Sequence, residues 1–119
     1  MAAMNANIAT TNAATGNFRI ISRNSRILVP NPLAPLQKST PGDGRNLAQP
    51  LLTAGVHLPP AAAAANVGAF PPAFNGDPTS YTHQEIINLI VFYNDAFGIV
   101  VGDVLTTRRN KLREWMSVL

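Results

Sequence analysis

Catalysis or metal binding in this chain would have to start from two histidines, His57 and His83, and five serines, Ser22, Ser25, Ser39, Ser80 and Ser117. A nucleophile needs a base within reach and a turn that presents it; none of the serines falls in such a motif. A metal site needs several His, Cys, Asp or Glu ligands gathered together. The chain has no cysteine, His57 stands beside a double proline, and His83 begins a predicted helix. Asp95 and Asp103 straddle a predicted turn, where helix-end hydrogen bonding accounts for them better than a catalytic carboxylate pair does. Gly42-Asp43-Gly44 is too short to cradle a phosphate and no Lys-Ser/Thr follows it. The expectation is a non-enzymatic protein with no cofactor and no metal.

The remaining chemistry is basic. Arg108, Arg109, Lys111 and Arg113 precede Trp115 on what should be a second helix, an arrangement that imitates a DNA recognition helix. Against this, the connection to the preceding helix exceeds the usual turn of about three or four residues. Glu85, Asp95, Asp103 and Glu114 also neutralise residues 81–119, so the net charge of +3 resides upstream. There Arg19, Arg23, Arg26, Lys38 and Arg45 face only Asp43 and Asp77. Charge spread along an arm is a weak nucleic-acid footprint. A nucleic-acid accessory role is therefore the second hypothesis.

The elements that position these residues divide unevenly. Tyr81 to Ile86 carries agreeing helix-start signals: Thr82 as cap, Glu85 completing a capping box, Tyr81 and Ile86 as a hydrophobic staple. Ile86, Leu89, Ile90, Tyr93 and Phe97 follow at helical spacing, predicting a helix over 83–97 closed by Gly98. A second helix starts near Asp103 or Thr106 and runs almost to the end. The predicted core is Ile86, Leu89, Ile90, Tyr93, Phe97, Val101, Leu105, Leu112 and Met116.

Upstream, residues 1–17 show no period and read as a low-complexity tail. Residues 18–29 hold two β-branched runs about a polar centre, a strand or hairpin arm able to add to a neighbour's sheet. All ten prolines lie between Pro30 and Pro78, so residues 30–80 read as a proline-rich extended ribbon. Residues 81–119 form the two-helix block. The implied fold class is a mostly irregular extended chain with a small all-α C-terminal helical hairpin, and a short β segment near the N-terminus as an option. Phe18, Ile20, Ile27, Val29, Leu51, Leu52, Phe70 and Phe74 are the expected partner contacts along the arm and ribbon, with Arg108, Arg109, Lys111 and Arg113 on the helix.

No apolar run approaches the roughly 18 residues of a membrane span, and the lack of cysteine fits assembly in a reducing intracellular compartment. The acid-free opening also resembles an organellar transit peptide in composition. At 13% charged residues, against about 25% in typical proteins, the chain is poorly protected as a free monomer. The Ala/Asn/Thr opening, Phe18–Val29, the ribbon 30–78 and the helical block around Thr82–Trp115 together resemble the small minor capsid proteins of large icosahedral double-stranded DNA viruses. That resemblance implies a cement role in the virion, with extended arms tying capsid proteins together. The primary expectation is thus a structural adaptor whose partners are other protein subunits of a large assembly. The alternatives are nucleic-acid binding by the second helix, or an accessory subunit of an organellar complex.

Overall fold

A computed structural model of the chain describes residues 2–27, 32–59, 67–71 and 76–118. It opens on a long helix, α1 (Ala2–Asn24), where a tail and a strand were expected. Six alanines before Thr15 supply the strongest helix propensity available. Ala13, Asn17, Ile20, Ile21 and Asn24 then recur at helical spacing and form the inward face. Two of those five are asparagines, so apolar periodicity alone misses the helix. No strand forms among the described residues.

The proline-rich segment beneath α1 is extended, but its partner is its own chain. Asn17 accepts from Gln37 N at 2.7 Å and donates to Gln37 O at 2.8 Å. Two turns later Asn24 accepts from Ala34 N at 2.8 Å and donates to Ala34 O at 3.0 Å. The register matches: seven helical residues rise about 10.5 Å, and three extended residues span about 10 Å. Each asparagine amide thereby replaces a neighbouring strand's peptide group. Asn24 also donates to Met116 O at 3.0 Å, fixing α1 to the last helix. Leu33 N donates to Gly76 O, and Lys38 pairs with Ala69 O and Gly68 N, so other loops supply the remaining bonds. Leu33 and Leu36 point into the core.

Within the segment expected to be extended come one turn of helix, α2 (Arg45–Ala48), and a 3-10 turn over Gln49–Leu51. A second 3-10 turn, Pro78–Ser80, leads into α3 (His83–Tyr93), and α4 (Leu105–Ser117) ends the described chain. The Thr82–Glu85 capping box is formed, and both staple residues, Tyr81 and Ile86, are buried. The first helix of the C-terminal pair stops at Tyr93 rather than Phe97. Asn94 takes the left-handed cap (φ 52°) and donates to Pro41 O at 2.9 Å, so the ribbon sets the helix end. Ile86, Ile87, Leu89, Ile90 and Tyr93 meet Leu33, Leu36, Ala48, Leu51, Leu112 and Met116 in one core.

Close approach explains Gly44. Its N–H donates to Val91 O, and a Cβ there would stand 2.2 Å from Ile90 O. Lys38 closes the same corner: fully buried, it donates to Gly42 O and Phe92 O, and burial holds its pKa below the ordinary lysine value. The Cα radius of gyration is 14.2 Å, near the ~13.5 Å of a compact chain this long. The expectation of a mostly extended chain with a small C-terminal helical hairpin is therefore overturned: residues 33–58 supply much of the core that the two helices lacked.

Asn24→Ala strands three backbone groups, two of them on Ala34 and one on Met116. Urea unfolding should show a loss of about 2–4 kcal/mol. Asn12→Ala, on the exposed face, should stay within about 0.5 kcal/mol.

Candidate functional site

The basic run on α4 is engaged largely with the protein's own backbone. Arg108 is 2% exposed. Its guanidinium donates to Leu51 O at 2.9 Å and Asp103 O at 3.2 Å, and lies 3.4 Å from His83 Nδ1. One side chain thus joins the 3-10 turn, the start of α3 and the loop before α4. Arg109 Nε donates to Tyr81 O at 2.7 Å. Lys111 Nζ donates to Gly98 O at 3.0 Å and pairs with Asp103 Oδ2 at 2.6 Å. Arg113 is half-buried. Three of the four cations thus direct their donors at backbone carbonyls of the protein itself.

His83 reports the same arrangement. Desolvation first, then the charges of Arg108 and Arg109, hold its pKa below the ordinary imidazole value. A guanidinium can only donate, so Nδ1 is the acceptor in its contact with Arg108. His57 contributes only backbone: Gln84 donates to His57 O at 2.8 Å and accepts from His57 N at 3.0 Å, clamping the loop to α3. Asp95 accepts from Phe97 N at 2.8 Å and from Trp115 Nε1 at 3.1 Å, while Asp103 is bound to Lys111. Each of these carboxylates is occupied in a structural bond. Among the described residues, no three His, Cys, Asp or Glu side chains gather as a metal site.

The expected arm contacts scatter. Phe18 is exposed on α1, but Ile20 and Ile27 pack against the protein's own core. Leu51 is buried, Leu52 half-buried against the core, and Phe70 exposed. Val29 and Phe74 lie outside the described residues.

The surface that sequence reasoning missed is the turn between α3 and α4. Val101, expected in the core, is 70% exposed, beside Val100 at 57% and Val104 at 65%. Asp103 N donates to Val100 O at 3.2 Å, and Gly102 has φ 93°. Positive φ at the third position is the signature of a type II turn. Asp103 Oδ2 accepts from Val100 N at 3.0 Å and from Lys111 Nζ, which anchors the turn on α4. Three β-branched side chains, stiff at χ1, are thereby held toward water on a braced tip. The signal was present as Val-Val-Gly-Asp-Val, but an apolar run beside a helix reads first as core.

No protein-family model, curated protein or solved structure matches the chain.

Arg108→Met should cost about 2–4 kcal/mol in urea unfolding, because the Leu51 and Asp103 carbonyls lose their donor. The His83 pKa, followed by NMR, should rise toward its ordinary value as one neighbouring charge disappears. In the unaltered protein the depressed His83 pKa means the unfolded state takes up the proton first. Stability should therefore be full above the ordinary imidazole value of 6.5 and decline as pH falls from there to the folded value. His83→Gln should flatten that decline.

Proposed function

We propose that this chain is a non-enzymatic structural adaptor that ties subunits of a larger assembly together, docking by a folded surface. The ribbon mechanism is not part of this proposal, because Leu33, Leu36 and Leu51 lie in the protein's own core. The observation that carries the reading is the braced Val100–Val104 tip. Free water gains nothing from three fixed valines, whereas an apolar pocket on a protein subunit buries them with little side-chain entropy to lose. The pair Asp103–Lys111 holds the tip before the partner arrives, and preorganisation of this kind raises affinity. A capsid is the assembly implied by the resemblance to minor capsid proteins, and capsid proteins are its proposed partners there.

Particle sedimentation tests this directly. The tagged chain should sediment with assembled particles at a fixed ratio to a major subunit. Val101→Asp with Val104→Asp should release it to the monomer fraction while its thermal midpoint stays unchanged. Co-sedimentation with an organellar complex would replace the capsid by that assembly. Sedimentation only as a free monomer, in every fraction, would contradict the adaptor role.

A further inference from the structure

The outer face of α1 and the turn after it carry exposed positive charge. Arg19, Arg23 and the turn residue Arg26 are all exposed, and no described side chain pairs with any of them. At 3.6 residues per turn Arg19 and Arg23 fall on successive turns of one face, and Arg26 follows in the turn that closes the helix, its N–H bonded to Arg23 O. No acidic residue precedes Asp43, so nothing on α1 opposes them. Phe18, 62% exposed, also points to solvent, flanking the arginines about 100° around the helix from Arg19. The inward face is fully committed elsewhere: Asn17 and Asn24 hold the ribbon, and Ile20 and Ile21 pack on the core.

We propose that this face binds single-stranded nucleic acid, with Arg19, Arg23 and Arg26 on consecutive phosphates and Phe18 stacking on a base. Arginine is the cation suited to phosphate because its planar fork donates two parallel hydrogen bonds. An exposed aromatic beside a row of such cations is the combination that holds unpaired bases. A duplex hides its base faces and leaves Phe18 without a partner. An anionic membrane is the weaker match. Between Thr11 and Ile27 the outer face presents Phe18 amid Asn12, Thr15, Arg19, Arg23 and Arg26, with the isoleucines turned inward. Interfacial helices need a broad apolar face.

This site is separate from the valine tip. Asn24 bonds Met116 O near the C-terminal end of α4, whereas Val104 caps the N-terminal end. The length of α4 between them is about 18 Å. An adaptor so built would hold a protein subunit at one end and a nucleic acid at the other, and each contact can fail without the other.

Fluorescence anisotropy of the full chain against a labelled deoxythymidine oligomer tests the proposal. Duplex DNA and phosphatidylserine-containing vesicles serve as the competing probes. Single-strand binding should exceed duplex binding, with log K falling against log salt at a slope of about −2 for three phosphates. Each Arg→Gln change should reduce that slope by about 0.7, and the triple Arg→Lys variant should restore it. Phe18→Ala should weaken single-strand binding about fivefold to a hundredfold while leaving the slope intact. Circular dichroism of each variant verifies that α1 persists. An unchanged slope in the triple Gln variant would overturn the proposal. So would equal binding of duplex with a silent Phe18→Ala, preference for vesicles, or no binding at low salt.

Discussion

An interior made from proline-rich, extended backbone has carbonyls and amides to satisfy and no sheet in which to satisfy them. An unpaired buried backbone group costs about 1–3 kcal/mol, so this one constraint governs where the polar side chains go. Asn17 takes Gln37 O, Asn24 takes Ala34 O, Tyr93 takes Leu36 O, Asn94 takes Pro41 O and Lys38 takes Gly42 O. Arg108 takes Leu51 O, Gln84 takes His57 O and Arg109 takes Tyr81 O. Helices supply most of the donors and loops supply the acceptors. The Tyr93 hydroxyl fits this role because burial pushes its pKa up, so it remains a donor.

The same constraint redistributes charge. A buried guanidinium with no carboxylate partner would ordinarily be costly, but Arg108 meets two carbonyls and a neutral imidazole instead. Lys38 is tolerated on similar terms, with two carbonyls and the Phe92 ring 5.7 Å from Nζ. Cations used as internal hydrogen-bond donors are withdrawn from the surface. What stays in water is then informative: Arg19 and Arg23 on α1, Arg26 in the turn after it, and a valine turn exposed among the described residues.

How much of this was visible in the sequence depends on the element. The capping box, the staple and the apolar face of α3 are local patterns, so Thr82, Glu85, Tyr81 and Ile86 could be assigned from spacing. The end of α3 could not, because Asn94 answers to Pro41, distant in sequence. The first helix was hidden for a related reason. Its inward positions hold Asn17 and Asn24, residues whose local preference is for turns, and their value appears only when the ribbon is alongside. Proline density pointed to extended backbone around residues 32–41 but gave no hint of what it lay against. Among the residues expected at a surface, Phe18 is exposed, while Val101 and Arg108 exchanged places between core and surface. In a chain with 13% charged residues, a basic run looks like a free face. Tertiary hydrogen bonding decided otherwise.

The central claim is that the ribbon and both flanking helical regions form one cooperative structure, joined by side-chain donors. Urea unfolding of the full chain, followed at once by far-UV circular dichroism and by Trp115 fluorescence, tests it most directly. Trp115 sits 4.8 Å from the Tyr93 ring and bonds Asp95, so it reports the α3–α4 core, while the helical signal is shared with α1. The account predicts coincident midpoints and a single transition. Loss of a large part of the helical signal at low urea, with Trp115 still in its folded environment, would contradict it.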